Sequence, residues 1–296
     1  MDERFCDVGR GVTLCYETFG DPADPPLLLI MGLGMQMVGW HEDFCTQLAD
    51  RGFHVVRFDN RDTGRSTHFP GPTPTTRQLF ARRFAPGQYK LADMAEDAAG
   101  LLRELELAPA HVVGASMGGM IGQTLAARHG DSVRSLVSIM SNTGSRFSGQ
   151  PAVSLYRPLL TPAPLEREAF LDHVERMFTL IGSPGRADVE DLRELAGLSY
   201  DRARDPAGTV RQLAAILASG NRTRELRRIT APTLVVHGSK DRLVKPSGGQ
   251  ATARAIPGAR LLTVEGMGHD LPRSFWPQIV DAIAEHAQLS QRAVAV

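Results

Sequence analysis

The chain has 296 residues, 42% of them hydrophobic, with 33 basic and 33 acidic side chains. That length and apolar content suit one large α/β domain, or one carrying an insertion. The charge balance leaves no basic excess to attract nucleic acid or an acidic membrane surface. Cys6, Cys15 and Cys45 are odd in number and widely spaced, so neither a disulfide framework nor a zinc-ligand pattern is present, and buried free thiols are expected. Met1-Asp2-Glu3-Arg4 lacks the basic-then-apolar order of a secretion signal. The longest apolar stretch, Leu27 to Val38, is broken by Gly32 and Gly34 and falls far short of the ~20 residues that span a bilayer. The expectation is a cytoplasmic protein with no membrane span and no nucleic-acid partner; no motif asks for a metal or a cofactor, and the oligomeric state is left open.

In chain order, Val12 to Phe19 predicts an early strand. Leu27 to Ile30 is a continuous apolar run, as in a strand buried on both faces. Gly39 to Ala49 has a helical pattern and His54 to Phe58 predicts the next strand. The Pro-Gly-Pro-Thr-Pro run at Pro70 to Pro74 marks a long surface loop. Leu91 to Leu107 carries Leu91, Met94, Ala98, Leu101, Leu102 and Leu105 near helical spacing. His111 to Val113 predicts a strand, Gly118 to about His129 a helix, and Val133 to Met140 a strand.

The alternation then stops. From Gly144 to about Arg224 there is no convincing strand, while Leu165 to Leu180, Glu190 to Leu198 and Thr209 to Ala218 are helical in pattern. Leu234 to His237 and Arg260 to Val264 predict the last strands, and about Trp276 to His286 the last helix. Strand–helix alternation of this kind predicts an α/β fold, a mainly parallel central sheet with helices on both faces. The expected organisation is a core from residues 1–143 and 225–296, interrupted by a helical cap at 144–224.

Gly114-Ala115-Ser116-Met117-Gly118 matches the G-x-S-x-G nucleophile elbow. The pattern alone is modest evidence, but here it follows a strand and opens a helix, which is the context the motif demands. A hydroxyl on that tight turn projects from the sheet edge, and Ser116 is the candidate nucleophile. A serine hydroxyl needs a base within hydrogen-bond reach, oriented by a third group. Of nine histidines, eight fall on predicted helices, strands or unrelated loops. His269 lies in Gly266-Met267-Gly268-His269, just past a strand end, where open α/β sheets place their ligands. Asp241, past the strand Leu234 to His237, is the candidate acid. The preceding strand ends in Ser141-Asn142-Thr143, which has no carboxylate. Asp270 adjoins His269, but neighbouring side chains diverge. An oxyanion needs two backbone N–H donors: Met117, after the nucleophile, and one from Met31-Gly32-Leu33-Gly34, with Leu33 first choice and Gly34 second.

With these residues in view the whole chain resembles the α/β-hydrolase family, and within it the aclacinomycin methylesterase-like proteins and the mycobacterial Lip-type carboxylesterases. The likeness rests on Gly20-Asp21-Pro22-Ala23-Asp24-Pro25, Met31-Gly32-Leu33-Gly34, Asp59-Asn60-Arg61-Asp62-Thr63-Gly64-Arg65-Ser66, the Ser116 elbow, Lys240-Asp241 and Gly266-Met267-Gly268-His269, and it is weakest in the cap. It implies the α/β-hydrolase fold, a Ser116–Asp241–His269 triad and hydrolysis of carboxylic esters. Many members carry His where this chain has Met31; main-chain donors make that departure tolerable. The Asp59–Ser66 segment resembles a family turn with a structural role.

A thioesterase or lactonase would use the same residues. Haloalkane dehalogenases and epoxide hydrolases need Asp at the elbow, which Ser116 argues against. A carbon–carbon bond hydrolase, a cofactor-free oxygenase and a catalytically idle receptor for a small apolar ligand are further alternatives on such a fold. Methionines crowd the expected site. Met35 and Trp40 follow the oxyanion loop, Met120 follows the elbow, Met267 precedes His269, and Met177 lies in the cap with Leu159, Leu160, Phe178 and Ile181. Flexible, polarisable side chains of this kind predict a small apolar ester as substrate.

Overall fold

The computed structural model describes residues 2–159, 161, 163–185 and 189–294. Its strands are β1 (Arg4–Asp7), β2 (Thr13–Phe19), β3 (Pro26–Ile30), β4 (His54–Phe58), β5 (Ala110–Ala115), β6 (Val133–Ile139), β7 (Thr233–Gly238) and β8 (Arg260–Val264). They join one sheet in the order β1-β2-β4-β3-β5-β6-β7-β8. β2 runs antiparallel to β1 and β4, and the remaining neighbours are parallel. The helices are α1 (Glu42–Ala49), α2 (Thr76–Ala81), α3 (Leu91–Glu104), α4 (Met117–Arg128), α5 (Tyr156–Leu159), α6 (Arg167–Ile181), α7 (Val189–Arg202), α8 (Pro206–Ser219), α9 (Thr223–Leu226), α10 (Ser247–Ala255) and α11 (Trp276–Val294).

The period-2 geometry of a strand sorts the apolar run into two layers. Leu27 and Leu29 face a cluster with Phe44 and Leu48 of α1 and Ile279, Val280 and Ile283 of α11. Leu28 and Ile30 face the opposite cluster, with Leu101 and Leu102 of α3 and Ile121 and Leu125 of α4. All four are 1% exposed or less, so each contributes about 2 kcal/mol of transfer free energy. The three cysteines are free and buried, and burial pushes the Cys15 and Cys45 thiols up to about 12. Among the described residues no helix is long and apolar enough to cross a membrane.

Several elements escape a sequence reading. β1 is a four-residue edge strand with mostly exposed side chains, so it carries no hydrophobic signal. α2 forms inside the expected long loop because Thr75 and Gln78 make a reciprocal capping box. α10 is rich in Gly and Ala, which blur its periodicity. The last helix runs on to Val294, well past His286.

Between β6 and β7 the described chain is helical, α5 to α9, with no strand. Two of these helices are fastened to the Asp59–Ser66 turn by buried ion pairs. Arg202 of α7 donates to Asp59 Oδ2 at 2.9 Å and to Glu3 Oε1 at 2.7 Å. Arg211 of α8 donates to both oxygens of Asp62, at 2.8 and 2.7 Å. Asp59 also accepts the Met37 and Arg65 N–H groups. Gly64, at φ +58°, lies so close that a Cβ there would sit 2.1 Å from Asp59 Oδ2. A buried pair of this kind is expensive to break, because the partner left behind is an uncompensated charge.

Buried histidines give the fold an acid sensitivity. His111 is 1% exposed, and its Nε2 lies 3.0 Å from Gln291 Nε2, which can only donate. The ring is therefore neutral, with its proton on Nδ1, 2.8 Å from Ser135 Oγ. Burial lowers its pKa to about 4, helped by the positive charge of Arg134. The unfolded chain takes up that proton near pH 6.5. Between about pH 6.5 and 4 the unfolded state thus binds a proton the folded state refuses. Stability is intact above 6.5 and is lost as pH falls toward 4, by up to about 3 kcal/mol for this one group. His111→Gln keeps an acceptor for Gln291 and is expected to flatten the fall of Tm with pH over that window. An unchanged acid slope in thermal melts would count against this account.

Candidate active site

β5 ends at Ala115 and α4 begins at Met117, leaving Ser116 alone in the turn at φ 55°, ψ −115°. A non-glycine residue there is strained and is held only by its surroundings. The Ser116 N–H donates to Ile139 O at 2.9 Å. The glycines on either side are steric necessities: a Cβ on Gly114 would lie 2.2 Å from Gly118 O, and one on Gly118 would lie 2.0 Å from Ile30 O. The turn sets the Ser116 hydroxyl at the N-terminus of α4, whose unpaired N–H groups favour negative charge.

The two other candidates arrive from strand ends. Asp241 follows β7, and its Oδ1 accepts the N–H groups of Leu243 at 2.9 Å and Val244 at 2.8 Å. Its Oδ2 lies 2.8 Å from His269 Nδ1, and His269 Nε2 lies 3.0 Å from Ser116 Oγ. The structure thus brings Asp241, His269 and Ser116 into one hydrogen-bonded chain. Burial pushes the Asp241 carboxyl up, but its electrostatic and hydrogen-bond interactions with His269 and His237 outweigh it, and the net shift is downward. An ionised Asp241 accepts from Nδ1, which leaves Nε2 as the lone-pair nitrogen facing Ser116. His237 Nε2 sits 2.7 Å from Val244 O and 3.4 Å from Asp241 Oδ2, bracing the same turn.

Asp270 has a different place. It accepts Ser183 N–H at 2.9 Å and Ser183 Oγ–H at 2.6 Å. Ser183 Oγ accepts Gly268 N–H at 2.8 Å, and His269 N–H donates to Ile181 O at 2.8 Å. The His269 loop is therefore clasped to the C-terminal end of α6. Neither Ser183 nor Ile181 carries a motif, and only the fold reveals this contact.

The Met31–Gly34 loop passes directly beside the elbow: a Cβ on Gly32 would lie 3.3 Å from Ser116 Cβ. Among the described residues the Leu33 and Met117 N–H groups have no hydrogen-bond acceptor. The N–H of the second-choice donor, Gly34, is engaged: it donates to Gln212 Oε1 at 2.8 Å.

The apolar residues expected to line a pocket divide. Met35 is 38% exposed, and Met177 is half-buried on α6. Met120 is buried in the layer under α3 and α4. Trp40 and Met267 belong to the layer beneath α1 and α11, and Trp40 stacks on Phe44 with ring centroids 5.4 Å apart. Met120, Trp40 and Met267 are all buried side chains of the core layers. A short 3-10 turn at Met37–Gly39 directs the chain back into the core, where among the described residues the Trp40 Nε1–H is buried without a hydrogen-bond partner. Leu159 is 41% exposed, and Leu160 lies outside the described residues.

The charges near the site are largely engaged. Arg242 donates to Leu180 O and Ser154 Oγ. Asp62, His68 and Asp205 bring ligand-type atoms within 4.8 Å of one another. Arg211 bonds to both of those carboxylates and His68 to Asp205, so the group is a closed ion-pair cluster rather than a metal cradle.

Comparison with known proteins agrees with this architecture. Rhodomycin D methylesterase of Streptomyces peucetius is 30% identical over 94% of this chain and 95% of its own. 3-Oxoadipate enol-lactonase 2 of Acinetobacter baylyi is 28% identical over 86% of each chain. Among solved structures, the enol-lactonase of Burkholderia xenovorans LB400 superposes with a TM-score of 0.74 at 22% identity, covering 96% of this chain and 100% of that one. The sequence pattern of the alpha/beta hydrolase fold family matches residues 25–272. On the sheet order, the elbow and that match, the chain belongs to the alpha/beta hydrolase fold family.

Proposed function

We propose that this protein is a serine hydrolase that cleaves carboxylic esters through an acyl-enzyme on Ser116, with His269 as general base and Asp241 as orienting acid. The observation that carries the reading is the unbroken chain from Asp241 to His269 at 2.8 Å and from His269 to Ser116 at 3.0 Å. Ser116 Oγ attacks the ester carbonyl carbon as His269 Nε2 takes its proton. The oxyanion receives the Leu33 and Met117 N–H groups, each worth about 3 kcal/mol of barrier. The imidazolium, held by Asp241, returns the proton to the departing alcohol. Water, deprotonated by the same nitrogen, then releases the acid. The methylesterase and lactonase relatives support acyl transfer to water as the reaction class.

On this reading residues 144–224 form a cap, and the substrate is a small, uncharged, apolar ester bordered by Met35, Met120 and Met177. Arg242 is spent on the cap backbone, and Arg167, Arg193, Arg202 and Arg211 are ion-paired. A fixed clamp for a substrate carboxylate is therefore not part of the reading. A panel of p-nitrophenyl esters is expected to give its highest kcat/KM with neutral acyl chains of short to medium length. A monoester of a dicarboxylic acid should react about tenfold more slowly or worse, the cost of leaving its charge unpaired. Preference for the dicarboxylate would overturn the apolar pocket and direct attention to Arg146. The enol-lactonase relative favours one second reading, a lactone as the substrate. Faster hydrolysis of a γ-lactone than of any open-chain ester would select it.

A further inference from the structure

Gln212 lies on α8, outside every motif, and is 0% exposed. Its Oε1 accepts Gly34 N–H at 2.8 Å, and its Nε2 donates to Arg61 O at 2.7 Å and to Thr63 Oγ1 at 2.5 Å. One side chain from the helical segment therefore ties the loop after β3 to the Asp59–Ser66 turn. We infer that Gln212 is a positioning residue for the oxyanion hole, holding the Leu33 N–H in its catalytic direction from across the helical insertion.

Three consecutive peptide planes, each rigid in itself, carry the loop past Leu33. Met31 O accepts from Asn60 Nδ2 at 3.0 Å, which fixes the Met31–Gly32 plane. Gly32 O accepts from Met35 N at 3.3 Å, which fixes the Gly32–Leu33 plane, the one that carries the Leu33 N–H. That bond is long, and glycines on both sides of Leu33 leave the loop little intrinsic stiffness. Gln212 fixes the third plane, Leu33–Gly34, so the weakly held middle plane is braced on both flanks. The brace is itself anchored. Arg211, next to Gln212, is bound to Asp62, and a Cβ on Gly208 would lie 2.1 Å from Asp62 O. A Cβ on Gly34, at φ +66°, would lie 2.8 Å from Thr209 Oγ1, so α8 rests directly on the loop. An oxyanion donor works only if it points at the charge before the charge forms. Small misplacements of such groups cost on the order of 10²-fold in rate.

This inference rests on the ester-hydrolase reading and on Leu33 as donor, and the experiment separates the two. Gln212→Leu removes the acceptor for Gly34 at similar volume. It is expected to lower kcat about 10- to 100-fold with KM within about threefold. Binding of a trifluoromethyl ketone, which forms a tetrahedral oxyanion adduct on serine, should weaken by the same factor as kcat. In the unaltered protein, hydrogen exchange at the Gly34 amide should be slow, a measurement independent of whether any variant folds. The inference is overturned if Gln212→Leu binds the ketone as tightly as the parent, or if the Gly34 amide exchanges freely. A parent protein that neither cleaves esters nor binds the ketone overturns the ester reading, and this inference with it.

Discussion

Ser116→Ala is expected to lose about 10⁵- to 10⁶-fold in kcat while remaining folded. The size follows from the reaction route. Without Oγ no acyl-enzyme forms, and what remains is water attack assisted by the two N–H donors and by binding. The fold should survive for a local reason. Alanine at φ 55° is strained to the same degree as serine, and the Ser116 N–H bond to Ile139 O does not involve the side chain. Only the contact of Oγ with His269 Nε2 disappears, so Tm should move by a few degrees at most. Turnover of p-nitrophenyl butyrate beside a thermal melt reads both quantities. Stoichiometric labelling by an alkyl phosphonate should be complete in the parent and absent in the variant. Near-parental turnover by Ser116→Ala, in material free of other esterases, would falsify the nucleophile assignment.

Asp241→Asn carries the second largest effect, about 10⁴-fold in kcat, by analogy with the same substitution in a serine protease triad. Here the hydrogen bonds dictate how the asparagine sits. Two backbone donors, Leu243 and Val244, point at Oδ1, so the amide oxygen takes that side and the NH₂ group faces His269 Nδ1. A donor against Nδ1 forces the ring proton onto Nε2, and the imidazole then presents a hydrogen to Ser116 where a lone pair is required. The geometry stays and the tautomer is wrong. Asp270→Asn should be mild by comparison, because Asp270 bonds to Ser183 rather than to the ring. A crippled Asp270→Asn beside an active Asp241→Asn would move the orienting role to Asp270. Steady-state kinetics of both variants on one substrate decides.

The legible parts of the fold were those whose signal is local. Leu27 to Ile30 announced a strand covered on both faces, because a short continuous apolar run bounded by Pro and Gly suits that setting. The elbow was legible because the strand, tight turn and helix that demand its glycines follow one another within a few residues, as the close approach of Gly114 to Gly118 shows. β1 and α10 were not legible: a short polar edge strand and a Gly/Ala-rich helix carry almost no periodicity. Trp40 was hard to place for a related reason. Its position in the sequence, six residues past Gly34, says nothing about which way a turn sends the chain next, and the 3-10 turn sends it into the core.

The sequence by itself determined the alternation that makes an α/β sheet, the elbow around Ser116, and the strand-end positions of Asp241 and His269. Each is a short-range pattern tied to a known backbone geometry. What only the tertiary structure decided is how residues 85 to 178 positions apart meet. Ser183 clasps Gly268 and Asp270, Arg211 pairs with Asp62, and Gln212 takes the N–H of Gly34. Such contacts arise when two surfaces are brought together by the burial of other residues, and the polar groups caught between them must then find partners. Nothing in the local sequence of a glutamine marks it for that role. The same packing also tells apart Leu33 and Gly34, two neighbouring N–H groups alike in sequence, by giving Gly34 a partner.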